Sequence, residues 1–112
     1  MRDGLKTLFD NNKSVRTGDL VEFSGIIGGK RKDYNILILN IRLTDVRYIG
    51  YLVNEDHIWL GTYNFNGENI KEILKCKINK GKTVIFTARI KPYRGRVNFG
   101  LELGPESTVD VY

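Results

Sequence analysis

Alternation with a period of two residues is the feature that most narrows the folds open to this chain. In segment 83–90, Val84, Phe86, Ala88 and Ile90 fall on one side and Thr83, Ile85, Thr87 and Arg89 on the other. In segment 96–103, Val97, Phe99, Leu101 and Leu103 alternate against Arg96, Asn98, Gly100 and Glu102. A helix would scatter either set around its axis, whereas a strand gathers it on one face. Residues 34–44 repeat the pattern, with Leu37, Leu39, Ile41 and Leu43 read as the apolar side and Ile36, Ile38, Asn40 and Arg42 as the second side. Half-buried strands are therefore the expected building material.

The remaining segments fill out the order. Residues 20–27 read as a first strand, and Gly25 inside it predicts a bulge or a sharp bend. The Gly28-Gly29 turn follows, with a basic tip. Asn54-Glu55-Asp56 is expected to interrupt the next stretch, leaving Asp56–Leu60 as the third strand and 46–53 as an irregular connection. Beyond Gly61 the period changes: Ile70, Ile73, Leu74 and Ile78 share a helical face, Asn66 is placed to cap it, and Phe65 to reach Ile70 as a staple. Lysines 71, 75, 77 and 80 solvate the other side, and Gly81 stops the helix. Leu5, Leu8 and Phe9 predict a short N-terminal helix or arm within 1–17, and the tail 108–112 predicts a short edge pairing.

Composition bounds the function classes. A chain of 112 residues accommodates one core, read here as an arm over 1–17 and a single domain over 18–112. No apolar run approaches the roughly 20 residues of a membrane span, and the N-terminus lacks a signal-peptide core, so a soluble, cytoplasmic protein is expected. The lone Cys76 supplies neither an internal disulfide nor a zinc cluster. The net charge of +5 points toward a polyanionic partner without demanding one.

Two basic turns sharpen that reading. Gly28-Gly29-Lys30-Arg31-Lys32-Asp33-Tyr34 and Lys91-Pro92-Tyr93-Arg94-Gly95-Arg96 each join strand-like segments. Cations meet phosphates and a flat ring meets bases, which is what a single nucleic-acid strand requires. The candidate contacts are Lys30, Arg31, Lys32, Tyr34, Arg42, Trp59, Lys91, Tyr93, Arg94 and Arg96. Each has a structural alternative: a solubilising hairpin tip for the cations, rim packing for Tyr93 and Trp59, and a first packed strand residue for Tyr34. Ile36 and Ile38, on the less apolar side of their strand, need cover from the arm or from a partner.

Catalytic chemistry is poorly supplied. Asp56 and His57 are adjacent on a strand and point to opposite faces, and no second histidine or serine nucleophile completes a constellation. No phosphate-cradling glycine motif is present, so no cofactor, metal site or enzymatic activity is expected.

The order strand, strand, strand, helix, strand, strand resembles a five-stranded OB-fold barrel, all-β with one capping helix, over residues 18–104. The resemblance places the two basic turns at that fold's ligand-gripping loops. Segments 56–60 and 81–90, with Tyr93, are also similar to small OB-like proteins of replication or mobile-element gene clusters in Gram-positive bacteria and phages. The leading expectation is binding of single-stranded nucleic acid, DNA favoured over RNA, with little sequence preference. The competing expectation is a non-catalytic accessory subunit that binds a polymerase, primase or helicase through the isoleucine face or the arm. A small nuclease is the remote third.

Overall fold

The computed structural model describes residues 3–67, 70–93 and 98–112. Five strands close into a barrel: β1 (Val21–Lys32), β2 (Asn35–Leu43), β3 (Asn54–Gly61), β4 (Thr83–Tyr93) and β5 (Asn98–Glu102). Around the barrel the order is β1-β2-β3-β5-β4, with β4 pairing back onto β1. All neighbours are antiparallel except β3 and β5, which run parallel where Leu60 faces Leu101. A sixth strand, β6 (Val109–Val111), pairs with Val84–Phe86 outside the barrel, the edge pairing anticipated for the tail.

The alternation predicted for β4 and for the described part of β5 is the one observed: Val84, Phe86, Ala88 and Ile90 face the core with Phe99, Leu101 and Leu103, while Val97, also expected there, lies outside the described residues. Phe23 and Phe86 stack at its centre with ring centroids 6.0 Å apart. Helix α1 (Asp3–Asn11) presses Leu5, Leu8 and Phe9 onto this core, and the Phe9 ring meets Phe99 at 5.3 Å. Gly4 lets the start of this helix approach the backbone at residues 52–53, because a Cβ there would lie within 2.2 Å of the Leu52 carbonyl oxygen. The four-residue helix α2 (Lys13–Arg16) follows and buries Val15.

Strand β2 inverts the expected orientation. Ile36 and Ile38 are fully buried, while Leu37 and Leu39 point outward and are half-covered. Asn40 then adopts a left-handed conformation, φ 52°, and is the extra residue opposite Gly25; this bulge returns Ile41 to the core. A run of four aliphatics satisfies either register, so only the bulge decides between them. The isoleucines therefore need no cover, and they form no interface.

Three more boundaries differ from expectation. Gly28-Gly29 does not turn the chain; it absorbs a register shift between Ile27 and Arg31, and the hairpin turn is Asp33-Tyr34, with Asp33 at φ 55°. Lys30, Arg31 and Lys32 consequently form the exposed end of β1. Strand β3 includes Asn54 and Glu55, because Ile41 and Arg42 of β2 still offer them partners. The helix over the third-to-fourth connection is only α3 (Ile70–Leu74). Asn79 Nδ2 donates to the Glu72 carbonyl at 2.8 Å, a side-chain bond that replaces further helical pairing, and Ile78 is left 78% exposed. The predicted cap at Asn66 abuts residues 68 and 69, which lie outside the described set.

The β2–β3 connection is irregular, as expected, yet firmly held. Its 3-10 turn (Val46–Tyr48) begins at Asp45, which accepts hydrogen bonds from the Glu22 amide at 3.0 Å and from Arg47 Nε at 3.0 Å. Arg47 also reaches Asp19 at 2.8 Å, and the Tyr48 hydroxyl donates to Asp19 at 3.0 Å.

Candidate nucleic-acid interface

Outward side chains of β2, β3, β5 and β4 make one continuous face. In β3 the inward residues are Ile58 and Leu60, which turns His57 and Trp59 out. Trp59 stands beside Leu37 across the β2–β3 ladder. On β4 the same parity turns out Arg89, Lys91 and Tyr93, opposite Glu102, Gly100 and Asn98 of β5.

Between these strands lies an open cleft of about 360 Å³, lined by Lys32, Asp33, Asn35, Ile58, Trp59, Tyr93 and Gly100. Two aromatic rings border it, Trp59 at 39% and Tyr93 at 43% exposure. Large aromatic side chains left this open have lost much of the stabilisation that burial provides. Gly100 is what permits the Tyr93 ring to lie across β5: a Cβ at that position would come within 2.6 Å of the ring edge. Lys91 Nζ sits 5.8 Å from the ring centroid, within cation–π range. Tyr34, at the hairpin turn and half exposed, packs edge-on against Tyr63 with centroids 5.2 Å apart. The Tyr34 carbonyl accepts from the Thr62 amide at 2.9 Å, which ties the turn to the end of β3 beside Tyr63.

The electrostatics are less uniform than the count of cations implies. Glu102 accepts hydrogen bonds from Arg89 at 2.6 Å, Lys91 at 3.1 Å and Asn64 at 3.0 Å. Partial burial pushes its carboxyl up, but the bonds from Lys91, Asn64 and Arg89 outweigh that and hold it below the usual glutamate range. Lys91 is thus ion-paired and lines a separate hollow with Arg16, Arg89 and Glu102 rather than this cleft, whereas Lys30, Arg31 and Lys32 are exposed.

The sequence-predicted residues thus divide. Lys32, Trp59 and Tyr93 line one cleft; Tyr34, between the lining residues Asp33 and Asn35, is not itself part of the lining, and Lys30 and Arg31 precede Lys32 on β1. Arg42 does not join them: it lies at the opposite end of β2, five residues past the Leu37–Trp59 pair, with its guanidinium donating to the Ile41 carbonyl. Arg94 and Arg96 fall outside the described residues. Tyr63, Gly100 and Glu102 were missed. Glu102 is on the polar register of β5, so a carboxylate opposite a cationic β4 was a legible signal; Tyr63 follows a strand end and offered none.

Among the described residues, no three His, Cys, Asp or Glu side chains gather as a metal-binding group. No helix there is long and apolar enough to cross a membrane. Compared with protein-family models, curated proteins and solved structures, the chain matches none.

Proposed function

We propose that the protein binds single-stranded nucleic acid, DNA in preference to RNA, with bases stacked on Trp59 and Tyr93 and phosphates tracked by Lys30, Arg31 and Lys32. The observation that carries the reading is the placement of two exposed rings and a lysine around one cleft on the outer face of a closed barrel. The barrel's order, β1-β2-β3-β5-β4 with α3 between β3 and β4, supports assignment to the OB-fold, whose strand 2–3 face and first and fourth loops grip oligonucleotides. Stacking is tolerant of base identity because every base has a π-face, so little sequence preference is expected. No catalytic role is proposed for any side chain. Anisotropy titration of a labelled oligothymidine tests the reading: Trp59→Ala should weaken binding by roughly 5- to 150-fold, the equivalent of about 1 to 3 kcal/mol of stacking. Unchanged affinity would remove Trp59 from the site.

A second reading has its own support. Val46, Ile49 and Leu52 are all strongly exposed on the connection pinned by Asp45, Arg47 and Asp19, which is how an interaction epitope for a replication enzyme would be presented. Ile49→Ser with Leu52→Ser would then abolish a complex with such an enzyme and leave oligonucleotide affinity intact. Retention of that complex would refute the epitope.

A further inference from the structure

Resting on the reading of the Trp59–Tyr93 cleft as a single-strand site, we infer that the bound strand crosses the end of β1 and continues onto a second, lysine-rich surface formed by residues 75–82. Consecutive strand residues face opposite ways, and Lys32 and Arg31 use that alternation. Lys32 lines the aromatic cleft. Arg31 lines a separate cleft of about 390 Å³ whose other walls are Leu74, Lys75, Cys76, Lys77 and Ile78. The end of β1 is thus a ridge one residue wide between two clefts, with a cation on each slope.

The lysine-rich segment is fixed to that ridge. The Gly81 amide donates to the Ile27 carbonyl at 2.8 Å, and the Ile27 amide donates to the Lys82 carbonyl at 2.9 Å. The aliphatic stem of Lys80 lies over Gly29, 2.8 Å from where a Cβ would stand, so it packs onto β1 there. Arg31 Nε donates to the Asp33 carbonyl at 2.8 Å, which holds its guanidinium near the turn.

Charge selects the occupant. Residues 70–82 carry five lysines and one glutamate, so most of the chain's net charge of +5 is gathered here. Among the described residues, Lys75 alone of these lysines is ion-paired, with Glu72 at 3.5 Å. Crowded cations repel one another in the folded protein, and a polyanion relieves that repulsion while releasing its own counterions. A compact anion would occupy one slope of the ridge; a polymer of phosphates reaches both. On the other side of the cleft Lys91 and Arg89 share the single carboxylate of Glu102, so the unpaired positive surface leads across Lys32 and Arg31 toward Lys77 and Lys80.

The experiment compares oligothymidines of about 6 and about 15 nucleotides, spanning the site sizes of such barrels. Both are titrated over a salt series against the wild type and a Lys75→Gln, Lys77→Gln, Lys80→Gln variant, whose side chains keep the aliphatic stems. The 6-mer should bind both proteins alike. The 15-mer should bind the wild type more tightly, and the variant should lose about 0.7 of log–log salt slope per phosphate contact removed. An unchanged slope for the 15-mer overturns the path. So does a wild type that gains nothing from the longer strand, although the cleft reading then stands. If neither oligomer binds the wild type, the cleft reading fails and the path fails with it.

Discussion

Placing one methyl group beneath Tyr93 separates the position of a stacking ring from its presence. At Gly100 a Cβ would stand 2.6 Å from Tyr93 Cε2, with Cδ2 and Cζ at 3.5 Å. Carbon atoms in contact prefer about 3.5 to 4.0 Å, so Gly100→Ala should drive that ring edge away by about 1 Å. The backbone at Gly100 is not in the left-handed region, and Tyr93 is partly exposed, so the ring can yield without disturbing the core. Replacing a strand glycine with alanine where the conformation permits it stabilises by about 0.4 to 1 kcal/mol through the unfolded chain, which offsets the displacement. A thermal melt should therefore be near wild type or slightly higher. Oligonucleotide binding, measured by anisotropy at fixed salt, should fall to a level between wild type and Tyr93→Ala, the latter losing about 1 to 3 kcal/mol. Tyr93→Phe should bind almost as the wild type does, since stacking uses the ring face. If Gly100→Ala binds as the wild type does while Tyr93→Ala is weak, the ring position over β5 is irrelevant and the cleft geometry has been misread.

The remaining predictions concern charge, core and pH. Glu102→Gln should release Lys91 and Arg89 from their ion pairs, tightening binding and steepening the salt dependence by up to about 0.7 for each new phosphate contact; a shallower slope in salt titrations would contradict the pairing. Phe86→Ala removes a fully buried ring stacked on Phe23 and should cost about 3 to 5 kcal/mol in urea denaturation, against at most about 0.5 kcal/mol for exposed Lys75→Ala. Asp45 is hydrogen-bonded by Arg47, against the opposing push of partial burial, and also by the Glu22 and Arg47 amides; its carboxyl is lowered from 3.8 to about 2. Because the folded value lies below the unfolded one, its contribution of about 2 kcal/mol is present above pH ~4 and is lost as pH falls toward ~2. Denaturation midpoints of the wild type should converge on those of Asp45→Asn over that window, and parallel curves would rule the linkage out.

What could be read from the sequence follows from where the physics is local. Strands β4 and β5 were legible because each alternates between apolar residues and, Ile85 excepted, polar or small ones, so that one register buries the apolar set best. Strand β2 was not, since Ile36 to Leu39 are all aliphatic and the deciding event is a left-handed Asn40 opposite Gly25, a pairing between two strands. The Gly28-Gly29 pair carried a turn signal that longer-range pairing with Ile36 and Ile38 overrode. Helix α3 ended early because the Asn79 side chain bonds the Glu72 carbonyl, a competition that a periodicity count does not weigh. For the candidate site, the exposure of Trp59 follows from strand parity once Ile58 and Leu60 are placed inside, and that parity was available in the sequence. The seat of Tyr93 on Gly100 and the triple engagement of Glu102 were not, because each joins two strands at a register that no single segment specifies.

Trp59 is the chain's single tryptophan and lies on the cleft, so its intrinsic fluorescence reports on the proposed site without a label. Titration with oligothymidine at low salt should quench that fluorescence to saturation, with an affinity that falls steadily as salt rises and that exceeds the affinity for a duplex of equal length. Saturable quenching whose midpoint moves to roughly 5- to 150-fold higher oligothymidine concentration in Tyr93→Ala is the result expected of two rings gripping one strand. A spectrum unmoved by single-stranded DNA at low salt, or equal binding of the duplex, would contradict the assignment of this cleft to a single nucleic-acid strand.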